Sequence, residues 1–320
     1  MAYTLQFTKR LTLVSGNANR KLAEDIANVL GIELTHMVVD RFHDGETRVK
    51  VDESIRGDDV FIVQPTSPPV NENLMELLIM IDAISRASAH RIAAVIPYYG
   101  YSRQDKKLKP REPISARLVA NLLEVAGADR ILAMDLHGGA LQGFFNIPVD
   151  HLSALLLFCD HIQKSGFRPE SSVIVSPDVG GVARASEVAN RLGFPLAIIA
   201  KRRPEPNVAE AVEVIGEVAG KDCILYDDMV DTGGSVVQGA NMLKARGAKA
   251  IWVYATHGIL SGNAVQVIQE SPIERLVITD TILLPEEKRI PKIEVVSTAE
   301  IFAEAIQRGF RDESISTLFG

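Results

Sequence analysis

Cysteine and tryptophan are nearly missing from this chain: its 320 residues hold two Cys and one Trp, and aromatics make up only 6%. The cysteines, Cys159 in LLLFC and Cys223 in CILY, sit in apolar stretches. They read as buried thiols rather than a disulfide or metal pair, which suits a reducing compartment. No apolar run reaches about 18 residues, which excludes a membrane-spanning helix. The opening MAYTLQFTKR lacks the apolar core of a signal peptide, so a cytoplasmic location is the expectation. Positive charge is also in deficit: 34 Lys and Arg against 41 Asp and Glu leave −7. That balance argues against nucleic-acid binding through a basic surface, though not against local basic patches for phosphorylated small molecules. No long Ser, Gly or Pro linker divides the chain.

What is present is alternation and repetition. Apolar strand-like runs at 11–15, 60–64, 92–97, 131–134, 173–176, 196–200, 223–226, 251–255 and 276–279 alternate with helical patterns. Such alternation predicts α/β domains, each a mainly parallel sheet flanked by helices. The run from Val14 to Gly31 and the run from Val175 to Gly193 both end in Ala-Asn-x-Leu-Gly, with Ala27 and Ala189 separated by 189 − 27 = 162 residues. VFIVQPTS from Val60 and CILYDDMV from Cys223 form a second pair, and AAVIPYYG and IWVYATHG a third. Three blocks repeated in one order predict a duplicated domain. The expected division is 1–150, joined by a C-terminal tail of about 308–320 that docks through Leu318 and Phe319, and 151–307.

The richest stretch is DDMVDTGGS, Asp227–Ser235, between a strand and a helix with Val236, Val237, Ala240 and Leu243 on one face. In open α/β sheets ligands bind beyond the carboxyl ends of the strands. Asp231, Thr232, Gly233, Gly234 and Ser235 offer hydroxyls and close backbone N–H groups at a helix N-terminus, which suit a phosphate. Asp227 and Asp228 are acceptors for vicinal sugar hydroxyls, directly or through a cation. A plain connection or a metal-binding carboxylate pair is the competing reading. At the matching place the first repeat has QPTSPP, from Gln64, which has no carboxylate and cannot build that loop.

DDMVDTGGS resembles the binding loop of type I phosphoribosyltransferase folds, and the whole chain resembles the bacterial class I ribose-phosphate pyrophosphokinases. The resemblance implies two phosphoribosyltransferase-like domains. It also implies transfer of the β,γ-diphosphoryl group of MgATP to the C1 hydroxyl of ribose 5-phosphate, giving phosphoribosyl diphosphate (PRPP) and AMP. RFHDGE, by its residues alone a loop, then implies Phe42 stacking on adenine and Asp44 and Glu46 reading its edge. PYYGYSRQDKK implies ATP contacts from Arg103, Gln104 and Asp105. MDLHGG and SPDVGG imply His137 and Asp178 at Mg²⁺–ATP. KRRPEPN, otherwise a solvated cationic run, implies catalytic Lys201 and Arg203. Ser54, Arg56, Ser314 and Ser316 match a regulatory site for phosphate and ADP, and a homohexamer built from dimers is implied. Two alternatives stay open: a PRPP-consuming phosphoribosyltransferase, for which one domain usually suffices, and a non-catalytic regulatory subunit, in which catalytic loops are altered or interrupted.

Overall fold

The structure, a computed structural model, describes residues 9–202 and 211–316, with the backbone alone at 201–202 and 211–212. The chain forms two compact units. The described part of the first comprises residues 9–153, 281–283 and 298–316. The described part of the second comprises residues 154–202, 211–280 and 284–297. Leu318 and Phe319 lie outside the described residues. Among the described residues no helix is long and apolar enough to cross a membrane.

The first repeat runs β1 (Leu11–Ser15), α1 (Arg20–Leu30), β2 (Met37–Arg41), β3 (Thr47–Val51), β4 (Asp59–Val63), α2 (Val70–Arg86), β5 (Arg91–Ile96), α3 (Ser115–Ala126), β6 (Arg130–Met134) and β7 (Val149–Leu152). Next come α4 (Leu155–Lys164), β8 (Ser172–Ser176), α5 (Val182–Leu192), β9 (Leu196–Arg202), β10 (Ala211–Ile215), β11 (Asp222–Val230) and α6 (Gly234–Ala245). The chain ends with β12 (Ala250–Gly258), α7 (Ala264–Glu270), β13 (Arg275–Thr279), β14 (Ile293–Val296) and α8 (Ala299–Phe310).

The first sheet has the order β1-β4-β5-β6-β7, and the second has β10-β9-β8-β11-β12-β13-β14. Replacing β1, β4, β5, β6 and β7 by β8, β11, β12, β13 and β14 leaves the order unchanged, so the repeats share one topology. All four pairings among each set of five strands are parallel. Helices on both faces bury the strands on both sides, which is why β4 reads DVFIV, buried throughout, rather than as alternating polar and apolar residues. The Ala-Asn-x-Leu-Gly repeat is a helix stop: Gly31 and Gly193 are both left-handed at φ 69°, and the Ala27 and Asn28, or Ala189 and Asn190, carbonyls accept from the chain that follows.

Five strands were not legible as strands: β2, β3, β7, β10 and β14. They are short, lie at sheet edges or outside the main sheets, and most are only partly buried, as in TRVKV, where half-buried and exposed residues alternate, so no continuous apolar run marks them. β2 and β3 pair antiparallel as a separate hairpin, whereas the topologically equivalent β9–β10 hairpin is continuous with the second sheet. RFHDGE is therefore a hairpin turn. Residues 203–210, outside the described residues, join β9 to β10 in the chain as 42–46 join β2 to β3.

Each repeat gives its last helix to the other unit. The helix after β7, α4, belongs to the second unit and packs on α5, with Phe158 edge-on to Tyr226 and Tyr254. The helix after β14, α8, belongs to the first unit and packs on α1, burying Phe302, Ala303 and Ile306. Burial of the two large side chains contributes roughly 2–3 kcal/mol each. Cations close the end of α8: Lys9 Nζ donates to Phe310 O at 2.8 Å and Arg91 Nη2 to Gly309 O at 3.0 Å. Beneath them Asp59, 1% exposed, accepts from Arg91 at 2.7 Å, His90 at 2.8 Å and Lys9 at 3.0 Å. Burial alone raises the Asp59 carboxyl, but hydrogen bonds from His90, Lys9 and Arg91 outweigh it and hold it below the usual range. A depressed carboxyl stabilises the fold above its unfolded value, near 4, and that support is lost as pH falls through the folded one. Asp59→Asn should lower unfolding free energy by about 2–4 kcal/mol at pH 7 and by less near pH 3. Denaturant titrations at the two pH values check this, and an equal loss at both would contradict it.

Candidate functional site

The sequence places a turn at Asp227, but β11 continues as a strand to Val230, because it keeps its parallel register with β12 through Asp227–Ala255, Met229–His257 and Val230–Gly258. Asp227 and Asp228 thus sit on the last residues of a strand, with Asp228 buried. Strand alternation alone would point them to opposite faces. One cation reaches both: Arg184 Nη1, from α5, lies 3.2 Å from Asp227 Oδ1 and 3.1 Å from Asp228 Oδ1. Burial, then the Asp228 carboxylate, push Asp227 up to about 7 against the pull of Arg184. Arg184 was not legible as a site residue. It is a lone cation in the small-residue helix VARASEV, and only the packing of α5 beside β11 brings it to the strand end.

After the strand, Gly233 turns the chain into α6. Its φ of 77° is left-handed, and a Cβ would meet Val267 Cγ2 at 3.2 Å, so only glycine fits without displacement. The N-cap of α6 is Gly233, which has no side chain to cap the helix. The positive end of the α6 dipole lies there, with Thr232, Gly234 and Ser235 exposed around it. Asp178 is exposed after β8, where its Oδ1 accepts the Gly181 N–H at 2.8 Å and so caps α5. Asp178, Asp227 and Ser235 line one recess with Pro177, Ile199 and Gly239. Residues expected at two different substrates are thus brought together within the second unit.

In the first unit the Phe42 turn closes by Phe42 N–H to Glu46 O at 2.8 Å and Glu46 N–H to Asp44 Oδ1 at 3.1 Å. The Phe42 ring is 51% exposed with the Arg48 guanidinium 5.9 Å above it, an open face rather than the buried Phe a bland loop would carry. Arg103 and Gln104 are exposed, and Gln104 Oε1 accepts from Ser115 Oγ at 2.5 Å at the start of α3. Asp105 Oδ2 lies 2.9 Å from where a Cβ on Gly138 would stand, so the Arg103–Asp105 run meets the His137 turn. That turn departs from β6 through Asp135 at φ 38°. It is held from β7 by Leu152 O, which accepts the Asp135 N–H at 2.9 Å, and by His151 Nε2, which accepts the Leu136 N–H at 2.9 Å. Accepting that N–H requires an unprotonated Nε2, a role for His151 that no motif announced.

Lys201 lies on β9 opposite Val212, and Arg203 lies outside the described residues. Ser54 and Arg56 are exposed before β4, and Ser314 and Ser316 are exposed after α8, joined Oγ to Oγ at 2.7 Å. Among the described residues no group of three or more His, Cys, Asp or Glu is placed to hold a metal by itself. Cys159 and Cys223 are buried free thiols, as expected, and burial pushes them up to about 11 and about 12.

Two units of one parallel topology, the second with an acidic strand end leading through a glycine turn into a helix, define a phosphoribosyltransferase-like α/β protein of two domains. Family models match at residues 11–127, for the N-terminal domain of ribose phosphate pyrophosphokinase, and at 200–320, for the phosphoribosyl synthetase-associated domain. The chain is 54% identical to the ribose-phosphate pyrophosphokinase of Bacillus caldolyticus over 310 residues, 97% of this chain and 98% of that one. It is likewise 54% identical to that of Thermotoga maritima over 319 residues, 98% of this chain and 100% of that one. The crystal structure of phosphoribosylpyrophosphate synthetase from Mycobacterium smegmatis superposes with a TM-score of 0.90 at 45% identity, covering 95% of this chain and 100% of that one. The chain belongs to the ribose-phosphate pyrophosphokinase family, a family of enzymes.

A raised carboxyl has a measurable sign. With Asp227 titrating near 7 when folded and near 4 when unfolded, folding takes up a proton between those values. This group's contribution to stability is therefore full below pH 4 and falls as pH rises towards 7. Asp227→Asn removes that dependence. Its melting temperature, relative to the parent chain, should rise by about 3 °C or more between pH 5.5 and pH 8 in the absence of ligand. A difference that does not change with pH would contradict the assignment.

Proposed function

We propose that this chain catalyses transfer of the β,γ-diphosphoryl group of MgATP to the C1 hydroxyl of ribose 5-phosphate, giving PRPP and AMP for nucleotide biosynthesis. The observation that carries the reading is the end of β11. A vicinal pair of carboxylates beside a glycine-capped helix N-terminus suits a phosphorylated ribose, in a chain similar over its whole length to ribose-phosphate pyrophosphokinases. The 5-phosphate takes the N–H groups and hydroxyls of Asp231–Ser235, and the ribose hydroxyls donate to Asp227 and Asp228. Arg184 bridges that pair.

The ATP side draws on the first unit. The open Phe42 ring offers a stacking face for adenine, with Asp44 and Glu46 as acceptors for its amino group. Arg103, Gln104 and Asp105 contact the nucleotide, and the Arg103 fork matches phosphate oxygens. Asp178, an exposed carboxylate, and His137 are the residues that would hold Mg²⁺. A site with few protein ligands fits this ion, which keeps waters and substrate phosphates in its shell. When bound, the metal neutralises charge on the transferring phosphates. The C1 oxygen attacks the β-phosphorus, the bond from that phosphorus to the α,β-bridging oxygen breaks, and AMP departs with that oxygen. No covalent intermediate with the protein forms, so the work is positioning and charge stabilisation, assigned to Lys201 and Arg203.

The same reading assigns phosphate and ADP as effectors at Ser54, Arg56, Ser314 and Ser316, and a homohexamer assembled from dimers in the cytoplasm. α3 supports self-association, since it buries Ala116, Val119, Ala120 and Leu123 on one side yet leaves Leu118 58% and Val125 87% exposed on the other. The uninterrupted KRRPEPN stretch favours the active enzyme over a regulatory subunit.

Lys201→Ala combined with Arg203→Ala should leave ribose 5-phosphate binding, measured by calorimetry, within about twofold while kcat falls on the order of 10³-fold or more. Near-normal kcat would remove both residues from the mechanism.

A further inference from the structure

The crevice at the carboxyl ends of β8 and β11 has a counterpart in the first unit, beyond β1 and β4, and there the chain fills it with its own side chains. Glu76 of α2, 3% exposed, sends its carboxylate into that place. Oε1 accepts the Asn17 backbone N–H at 2.7 Å and the Gln64 Nε2 at 2.8 Å, while Oε2 accepts the Asn17 Nδ2 at 2.9 Å. Gln64, fully buried, turns its Oε1 to the Ala18 N–H at 3.0 Å and its Nε2 towards Asn73 O at 3.3 Å. The fit allows no more: a Cβ on Gly16 would stand 2.3 Å from Gln64 Oε1 and 2.9 Å from Glu76 Oε1. Backbone N–H groups that follow β1 are thus met by a fixed internal carboxylate and amide.

The plug also reaches outward. Asn17 Nδ2, held by Glu76, donates to Val39 O at 3.1 Å, and Val39 is in β2 of the hairpin whose turn carries Phe42. That hairpin belongs to neither main sheet, so it lacks the continuous ladder that secures β9–β10. Two further supports come from the same helix: β3 packs on α2, and Arg41 pairs with Glu72 one helical turn before Glu76.

We propose that Glu76, Gln64 and Asn17 are positioning residues for ATP: the carboxylate that closes the first crevice is the brace that fixes the β2–β3 hairpin. This rests on the assignment of Phe42 to adenine. Outer partners of metal ligands cost about 10-fold to 100-fold when removed, and a loss of that order is expected for this brace. The expected result for Glu76→Ala is faster hydrogen exchange across Met37–Val51, an ATP KM raised about tenfold, and kcat and the ribose 5-phosphate KM within about twofold. Asn17→Ala, at an exposed position that leaves the buried core intact, should reproduce the same split in milder form. Sodium formate should partly restore the ATP KM of Glu76→Ala, where sodium chloride at equal ionic strength should not. Unchanged hairpin exchange in both variants, or kcat and both KM values worsening together, would overturn the proposal. Phe42→Ala separates the two readings. If it leaves the ATP KM unchanged, the adenine assignment fails, while hairpin exchange in Glu76→Ala still decides the brace.

Discussion

Backbone N–H groups leaving the carboxyl end of a parallel strand need acceptors, and the way each unit supplies them governs the division of labour in this protein. After β1 the acceptors are built in, from Glu76 and Gln64. At the start of α6 the N-cap is Gly233, which has no side chain, and Thr232, Gly234 and Ser235 are exposed. One topology thus carries a carboxylate-braced crevice in one copy and an acidic strand end with an exposed glycine-rich turn in the other. A carboxylate inside the first crevice would repel a phosphate. Two carboxylates stand beside the second, bridged by Arg184; under the proposed function they take the sugar hydroxyls and leave the phosphate to backbone dipoles.

The same duplication explains why the two hairpins differ in attachment. β9–β10 extends the second sheet, so Lys201 begins from an anchored strand. β2–β3 stands apart and depends on α2. Two segments assigned to different tasks, RFHDGE and KRRPEPN, are the connections of equivalent hairpins, and duplication supplied both from one ancestral element. The exchange of α4 and α8 binds the repeats in another way. α4 packs within the second unit and α8 within the first, so each unit holds one helix supplied by the other repeat.

Much of this was legible in the sequence because parallel strands buried on both faces leave continuous apolar runs, and because Ala-Asn-x-Leu-Gly marks a helix stop twice. The Asp227–Ser235 stretch, proposed to bind ribose phosphate, stood out because glycine at 233 and paired aspartates are chemically unusual at a strand end. Edge strands such as TRVKV were not, since half of their residues face solvent and mimic a loop. The limits of β11 were misjudged because register with β12, a non-local fact, carries the strand past Tyr226 to Val230. Arg184, His151 and Glu76 escaped for the same reason: each is an ordinary residue in its own helix or strand, and its role is set by a partner far along the chain.

The proposed reaction depends on which phosphorus of ATP meets the sugar. ATP labelled at its β-phosphorus, incubated with Mg²⁺, ribose 5-phosphate and the intact protein, tests this most directly. The label should appear in PRPP with an equal amount of unlabelled AMP. Formation of ADP, or label remaining in the nucleotide while the sugar is consumed, would contradict diphosphoryl transfer by this chain.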